Sequence, residues 1–129
     1  MKSFFTRRNL QIAVAIAGLV PVGAGLAGII AGPAFVGQAQ AVPDLTSHFA
    51  YLSGLLLAIG LLFYQMIPRI EQHTARFRLL TLIVVIGGLG RAASMVLHGV
   101  PGGSMWFAII MELGVTPILC LWQGRIATD

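Results

Sequence analysis

Residues 79–122 decide the fold, and they read LLTLIVVIGGLGRAASMVL (79–97), HGVPGGS (98–104) and MWFAIIMELGVTPILCLW (105–122). Each of the two apolar segments is close to the length of about 20 residues that crosses a hydrocarbon core as a helix. The Gly- and Pro-rich linker between them predicts a turn, and therefore two antiparallel helices. Each segment carries one charge, Arg91 in the first and Glu112 in the second.

These two charges are expected to lie at the same depth in a membrane. Arg91 lies six residues before Leu97 and Glu112 lies seven residues after Met105, at the ends that the linker joins. At ~1.5 Å per helical residue, each charge lies roughly 10 Å inside that face. A charge in hydrocarbon costs at least ~2.5 kcal/mol, and such residues usually pair or line a path. The spacing therefore predicts an intramembrane Arg91–Glu112 pair.

Three interpretations of the pair remain open. It is an ion pair that fixes two helices in register, or it belongs to a binding or proton-linked site that faces the outer compartment. In the third interpretation Arg91 reaches the outer headgroups while Glu112 is protonated.

Two more apolar segments precede this hairpin. We predict an all-α integral membrane bundle of four transmembrane helices, up-and-down, in a single domain over residues 1–129. The predicted spans are about 10–31, 49–67, 79–97 and 105–122. The chain is 57% hydrophobic and 9% charged, whereas soluble domains are about 25% charged. The lipid bilayer is therefore the predicted solvent.

The first segment has an alternative interpretation. TRRNL (6–10) looks like a twin-arginine signal, and residues 39–41 (AQA) offer a cleavage site. The apolar region of a signal peptide is normally ~7–15 residues long, and this one has 22 residues. A retained transmembrane helix is therefore preferred.

The basic residues predict the orientation. With the N-terminus in the cytoplasm, seven of the eight Lys and Arg residues lie on that side and only Arg91 lies in the membrane. The seven are Lys2, Arg7, Arg8, Arg69, Arg76, Arg78 and Arg125. This bias predicts a multi-pass membrane protein with both termini cytoplasmic. Nucleic acid is not a predicted partner, because the charges form no basic stripe with polar surroundings.

Five polar residues form a candidate pocket around the pair: Ser94, His98, Thr116, His48 and Ser53. His48 and His98 each lie 25 positions from His73, so they should emerge at about the same depth. Two such histidines could ligate a haem iron or a metal, but no third or fourth ligand accompanies them. Polar caps at helix ends are the preferred interpretation, and no metal and no cofactor is predicted. The sequence contains no HExxH or P-loop motif and no evident Ser/His/Asp order, so no catalytic residue is assigned.

Several small and charged residues carry a family resemblance. They are Tyr51-Leu52-Ser53-Gly54, Gly60, Gly87-Gly88-Leu89-Gly90-Arg91, Glu112 and Pro117. Their spacing resembles the bacterial membrane-protein family called domain of unknown function 4345, over about residues 10–122. The resemblance implies a small four-helix protein of the inner membrane, and it implies no reaction. It also implies a basic residue just before Tyr51, where this sequence has His48, Phe49 and Ala50.

Two classes of function fit these features. The first is a non-catalytic accessory or scaffold subunit that packs against a larger membrane complex or forms a homo-oligomer, which faces of small residues favour. The alternative is a carrier or binder of a small amphiphile, such as a quinone or a lipid, at an outward-facing site of Arg91 and Glu112. An enzyme is the third hypothesis.

Overall fold

The structure is a computed structural model that describes residues 4–38 and 42–128. Lys2 and the suggested cleavage site at residues 39–41 lie outside the described residues. The described residues contain helices and no strand. In chain order the elements are α1 (Arg7–Ala17), α2 (Leu19–Ala31), a 3₁₀-helix (Gly32–Val36), α3 (Pro43–Met66), a second 3₁₀-helix (Ile67–Gln72), α4 (Thr74–His98), α5 (Gly103–Ile110), a π-helical turn (Met111–Val115) and α6 (Thr116–Thr128).

Four helical segments are long and apolar enough to cross a membrane, as the sequence predicted. They are Arg7–Val36, Pro43–Gln72, Thr74–His98 and Gly103–Thr128. Each extends beyond its apolar run, because backbone hydrogen bonding continues into polar residues. Pro43, for example, occupies the first turn of α3, where its missing N–H leaves no helical bond unmade. Helix α3 therefore begins six residues before the apolar run that starts at Phe49.

The chain divides into two compact units, residues 12–67 and residues 1–11 together with 68–129. In the unit of residues 12–67, α2 and α3 approach closely at glycines. A Cβ added at Gly25 would lie 2.7 Å from the backbone nitrogen of Leu57, and one at Gly60 would lie 2.7 Å from Cγ2 of Val22. Small residues allow such approach between membrane helices. Any side chain at Gly25 would force the two backbones apart.

The first span is interrupted between α1 and α2. Helix α1 ends at Ala17, four residues before Pro21. A proline in a helix donates no hydrogen bond to the carbonyl four residues earlier, and its ring clashes with that carbonyl. Gly18 follows, and the Tyr64 ring fills the space that a side chain there would need. The Tyr64 hydroxyl donates a 2.9 Å hydrogen bond to the carbonyl of Ala15. Pro21 thus opens the helix, and Tyr64 supplies a donor in the turn before the break.

In the unit of residues 1–11 and 68–129, polar side chains connect segments that are distant in the sequence. Arg7 Nε lies 2.7 Å from Glu71 Oε2, and its Nη2 donates a 2.7 Å hydrogen bond to the carbonyl of Pro68. Gln123 is fully buried, and its Nε2 donates to the Ile70 carbonyl and to Thr74 Oγ1 at 2.9 and 3.0 Å. These contacts join the start of α1 and the α6 helix to the second 3₁₀-helix and the first residue of α4.

Candidate functional site: an Arg–Glu pair between α4 and the last span

The centre of the candidate site is the contact between Arg91 and Glu112. Arg91 Nε donates to both carboxylate oxygens of Glu112, at 2.9 Å to Oε1 and 3.0 Å to Oε2. Arg91 lies in the second half of α4 and Glu112 lies in the π-helical turn. A bond between two ionised groups is roughly twice as strong as a bond between neutral groups.

The pair is shielded unequally. The side chain of Arg91 is 35% exposed and that of Glu112 is 16% exposed. Arg91 Nη1 lies 3.0 Å from the sulfur of Met105, which is a weak acceptor. Both oxygens of Glu112 accept bonds from Arg91, so the carboxylate is committed to the pair. Nη2 of the guanidinium is still available as a donor, since none of the described residues accepts a hydrogen bond from it.

A glycine lets α4 and the π-helical turn meet beside the pair. Gly88 is buried on α4, one turn before Arg91. A Cβ there would lie 2.7 Å from Leu113 Cδ2 and 3.0 Å from Glu112 Cβ. The absence of a side chain at Gly88 therefore brings the backbone carrying Glu112 within reach of Arg91.

The helix widens at Glu112. Residues Met111–Val115 form a π-helical turn, and the N–H of Thr116 donates to the carbonyl of Met111, five residues earlier. Pro117 has no N–H to donate, so the α-helical pattern cannot continue unbroken through this turn. The Thr116 hydroxyl also donates to the Met111 carbonyl, at 2.8 Å. π-Turns are rare and often lie at functional sites.

The predicted polar neighbours occupy different environments. Ser94 and His98 are exposed on α4, and Thr116 is half-buried with its hydroxyl bonded within its own helix. Among the described residues, no hydrogen bond joins these three side chains to Arg91 or Glu112. His48 and Ser53 belong to the unit of residues 12–67, where His48 is exposed and Ser53 is buried against Gly28.

Two features of the site were missed by the sequence analysis. The first is Met105 as a neighbour of Arg91, although it lies seven residues before Glu112 and therefore on nearly the same helical face. The second is the π-turn, for which Pro117 was a signal. A proline does not determine whether a helix bends, frays or widens, so the turn type had to come from the structure. Among residues 4–38 and 42–128, no group of three or more His, Cys, Asp or Glu residues could hold a metal ion.

Comparison with known proteins places the chain in a family. No curated protein and no solved structure matches it. A family model described as domain of unknown function (DUF4345) matches residues 9–123, which include both residues of the Arg91–Glu112 pair. This chain of 129 residues therefore belongs to the DUF4345 family.

Proposed function

We propose that this protein is a non-catalytic accessory or scaffold subunit that packs against another membrane protein. The observation that carries the proposal is a face of α4 that we call the open glycine face, made of Gly87, Gly90 and Ser94. These residues lie within about 60° of one another at 100° per residue, and all three are exposed. A Cβ at Gly87 or Gly90 would meet nothing within 4 Å. In membranes, small residues are typical of helix contacts.

The contrast with the glycines that lie in helix contacts supports this assignment. Gly25, Gly60 and Gly88 are filled by neighbouring atoms, so their lack of a side chain is explained within the chain. Gly87 and Gly90 cost a helix ~1 kcal/mol each relative to Ala, and nothing within their unit explains them. A partner helix that packs against this face would do so.

The proposal includes a location and an orientation. The chain crosses the bacterial inner membrane four times, up-and-down, with both termini in the cytoplasm. The support is the distribution of Lys and Arg, since seven of eight then lie on the cytoplasmic side. Large apolar side chains are exposed on all four candidate spans, as lipid contact requires. Examples are Ile30, Leu61, Val96 and Leu121 at 84%, 52%, 86% and 73%.

Purification in a mild detergent, followed by mass spectrometry of the intact complex, tests the subunit proposal. We expect a stoichiometric protein partner, or a second copy of this chain, with the parent. Gly90→Leu should reduce its recovery by about tenfold or more, because a leucine occupies the space of the partner helix. The variant should itself fold, since leucine is the better helix former and the site is open.

Gly54→Leu is the matched control. A Cβ at Gly54 also meets nothing within 4 Å, but the same face of α3 carries the large exposed side chains of Tyr51 and Leu61 instead of further small residues. Its partner recovery should equal that of the parent. A parent that purifies as a monomer without a protein partner, or a Gly90→Leu variant that keeps its partner fully, would contradict the proposal.

The alternative function, a binder of a quinone or lipid, is favoured by one observation. Arg91 is one-third exposed, and Nη2 has no described acceptor. A carbonyl or phosphate oxygen of an amphiphile is a suitable acceptor for it. The same mass spectra separate the two functions: a retained non-protein mass, absent when Arg91→Gln and Glu112→Gln are combined, would support the binder.

A further inference from the structure

The last turns of α6 and the first turns of α4 line an open, basic cavity that does not include the pair at Arg91. Its volume is about 320 Å³, and it is lined by Arg78, Cys120, Leu121, Gly124, Arg125 and Thr128. We propose that this cavity binds the phosphate group of an anionic phospholipid. The site is separate from the proposed partner surface and from the amphiphile site.

The charge of the cavity requires an anion. Two guanidinium groups line one small space, and among the described residues no ion pair neutralises either of them. Glu71 and Glu112 are instead engaged by Arg7 and Arg91. Guanidinium groups bind phosphate oxygens through pairs of parallel hydrogen bonds. A phosphate between Arg78 and Arg125 would relieve their mutual repulsion.

One of the two arginines is already positioned. The guanidinium carbon of Arg125 lies 6.0 Å from the centre of the Phe5 ring, within the range of a cation–π contact. Phe5 packs edge-on against Trp122 at 5.3 Å, and Phe4 stacks on the same Trp122 at 5.6 Å. This aromatic cluster restricts Arg125, so less side-chain entropy is lost when an anion binds.

Space for the headgroup comes from Gly124. A Cβ at Gly124 would meet only Nη2 of Arg78, at 3.9 Å. The Arg78 guanidinium therefore extends over the glycine, and the volume of a larger side chain is left open beside it. Thr128 lines the same space, but its hydroxyl donates within α6 to the carbonyls of Gly124 and Arg125, so the bonds to a phosphate are left to the two arginines.

The apolar surface in and beside the cavity favours a lipid over a free phosphate. Leu121, one turn before Arg125, is 73% exposed, and Leu79, next to Arg78, is 57% exposed. Both arginines therefore lie where an apolar surface gives way to a charged one. A phospholipid has the same arrangement, with acyl chains below a phosphate. Basic pockets between membrane helices are known to bind anionic lipid headgroups.

Native mass spectrometry of the full chain in detergent tests the proposal, with added phosphatidylglycerol and phosphatidylcholine as probes. In detergent there is no anionic membrane surface, so nonspecific attraction of basic residues to such a surface does not contribute. We expect adducts with phosphatidylglycerol in preference to phosphatidylcholine. Arg78→Gln and Arg125→Gln should each weaken the phosphatidylglycerol adduct roughly tenfold. Gly124→Leu should weaken it too, because it fills the cavity while both charges remain and favours the helix.

Arg8→Gln is the charge-matched control, because Arg8 is exposed and does not line the cavity. It should change the adduct less than twofold. Equal losses in Arg8→Gln and Arg78→Gln, or an unchanged adduct in Gly124→Leu, would overturn the site. Inorganic phosphate or glycerol 3-phosphate that displaces the lipid at equal concentration would overturn its assignment to a phospholipid.

Discussion

Arg91 is the residue that depends most on its immediate contacts. A guanidinium on an apolar helix needs a counter-charge or water. Glu112 supplies the counter-charge through both oxygens, at 2.9 and 3.0 Å. Because the Arg91 side chain is still 35% exposed, part of its hydrogen-bonding capacity remains available. The pair therefore connects α4 to the last span while part of the guanidinium stays exposed.

A comparison of a single and a double variant measures the pairing. Glu112→Gln alone leaves the Arg91 charge without its counter-ion in the membrane, which should cost ~2 kcal/mol or more. Arg91→Gln together with Glu112→Gln removes both charges and should restore much of that loss. The measurement is the amount of folded protein that accumulates in the membrane. If both variants accumulate like the parent, the pair contributes nothing to folding.

At the scale of elements, the close contact of α2 with α3 depends on Gly25. The Gly25 Cα has no room for a Cβ, since the backbone of Leu57 lies within 2.8 Å of the position it would take. Backbone atoms cannot rotate away as a side chain can. Two glycines on the same helix, Gly25 and Gly23, therefore differ sharply in what a substitution should do.

Gly25→Ala should lower the free energy of unfolding of the protein in detergent by about 1–3 kcal/mol, the usual cost of overpacking. Gly23→Ala should leave it unchanged or raise it by up to ~1 kcal/mol, because a Cβ there meets nothing within 4 Å and alanine favours the helix. Thermal unfolding followed by circular dichroism checks both. Equal effects of the two substitutions would mean that α2 and α3 do not pack as described.

The sequence predicted some elements and not others, because each sequence pattern reports a different physical property. Four charge-poor runs of 18 to 22 residues predicted four apolar helices, because length and hydrophobicity alone decide that a helix can cross lipid. Counting along helices joined by a short linker brought Arg91 and Glu112 to matching positions, and their side chains are in contact. The Gly25–Leu57 contact did not follow, since glycines in a membrane helix do not show which of them faces a neighbour. The π-turn at Glu112 also breaks the regular period on which such counting rests.

For the whole molecule, the central claim is that the chain crosses a membrane four times. The test uses single cysteines in a Cys120→Ala background, placed at Gln38, His73, Gly102 and Ala127, and a thiol reagent that does not cross membranes. We expect Gln38→Cys and Gly102→Cys to be labelled in intact cells, whereas His73→Cys and Ala127→Cys should be labelled only after the membrane is opened. Labelling of His73→Cys and Gly102→Cys from the same side would contradict it.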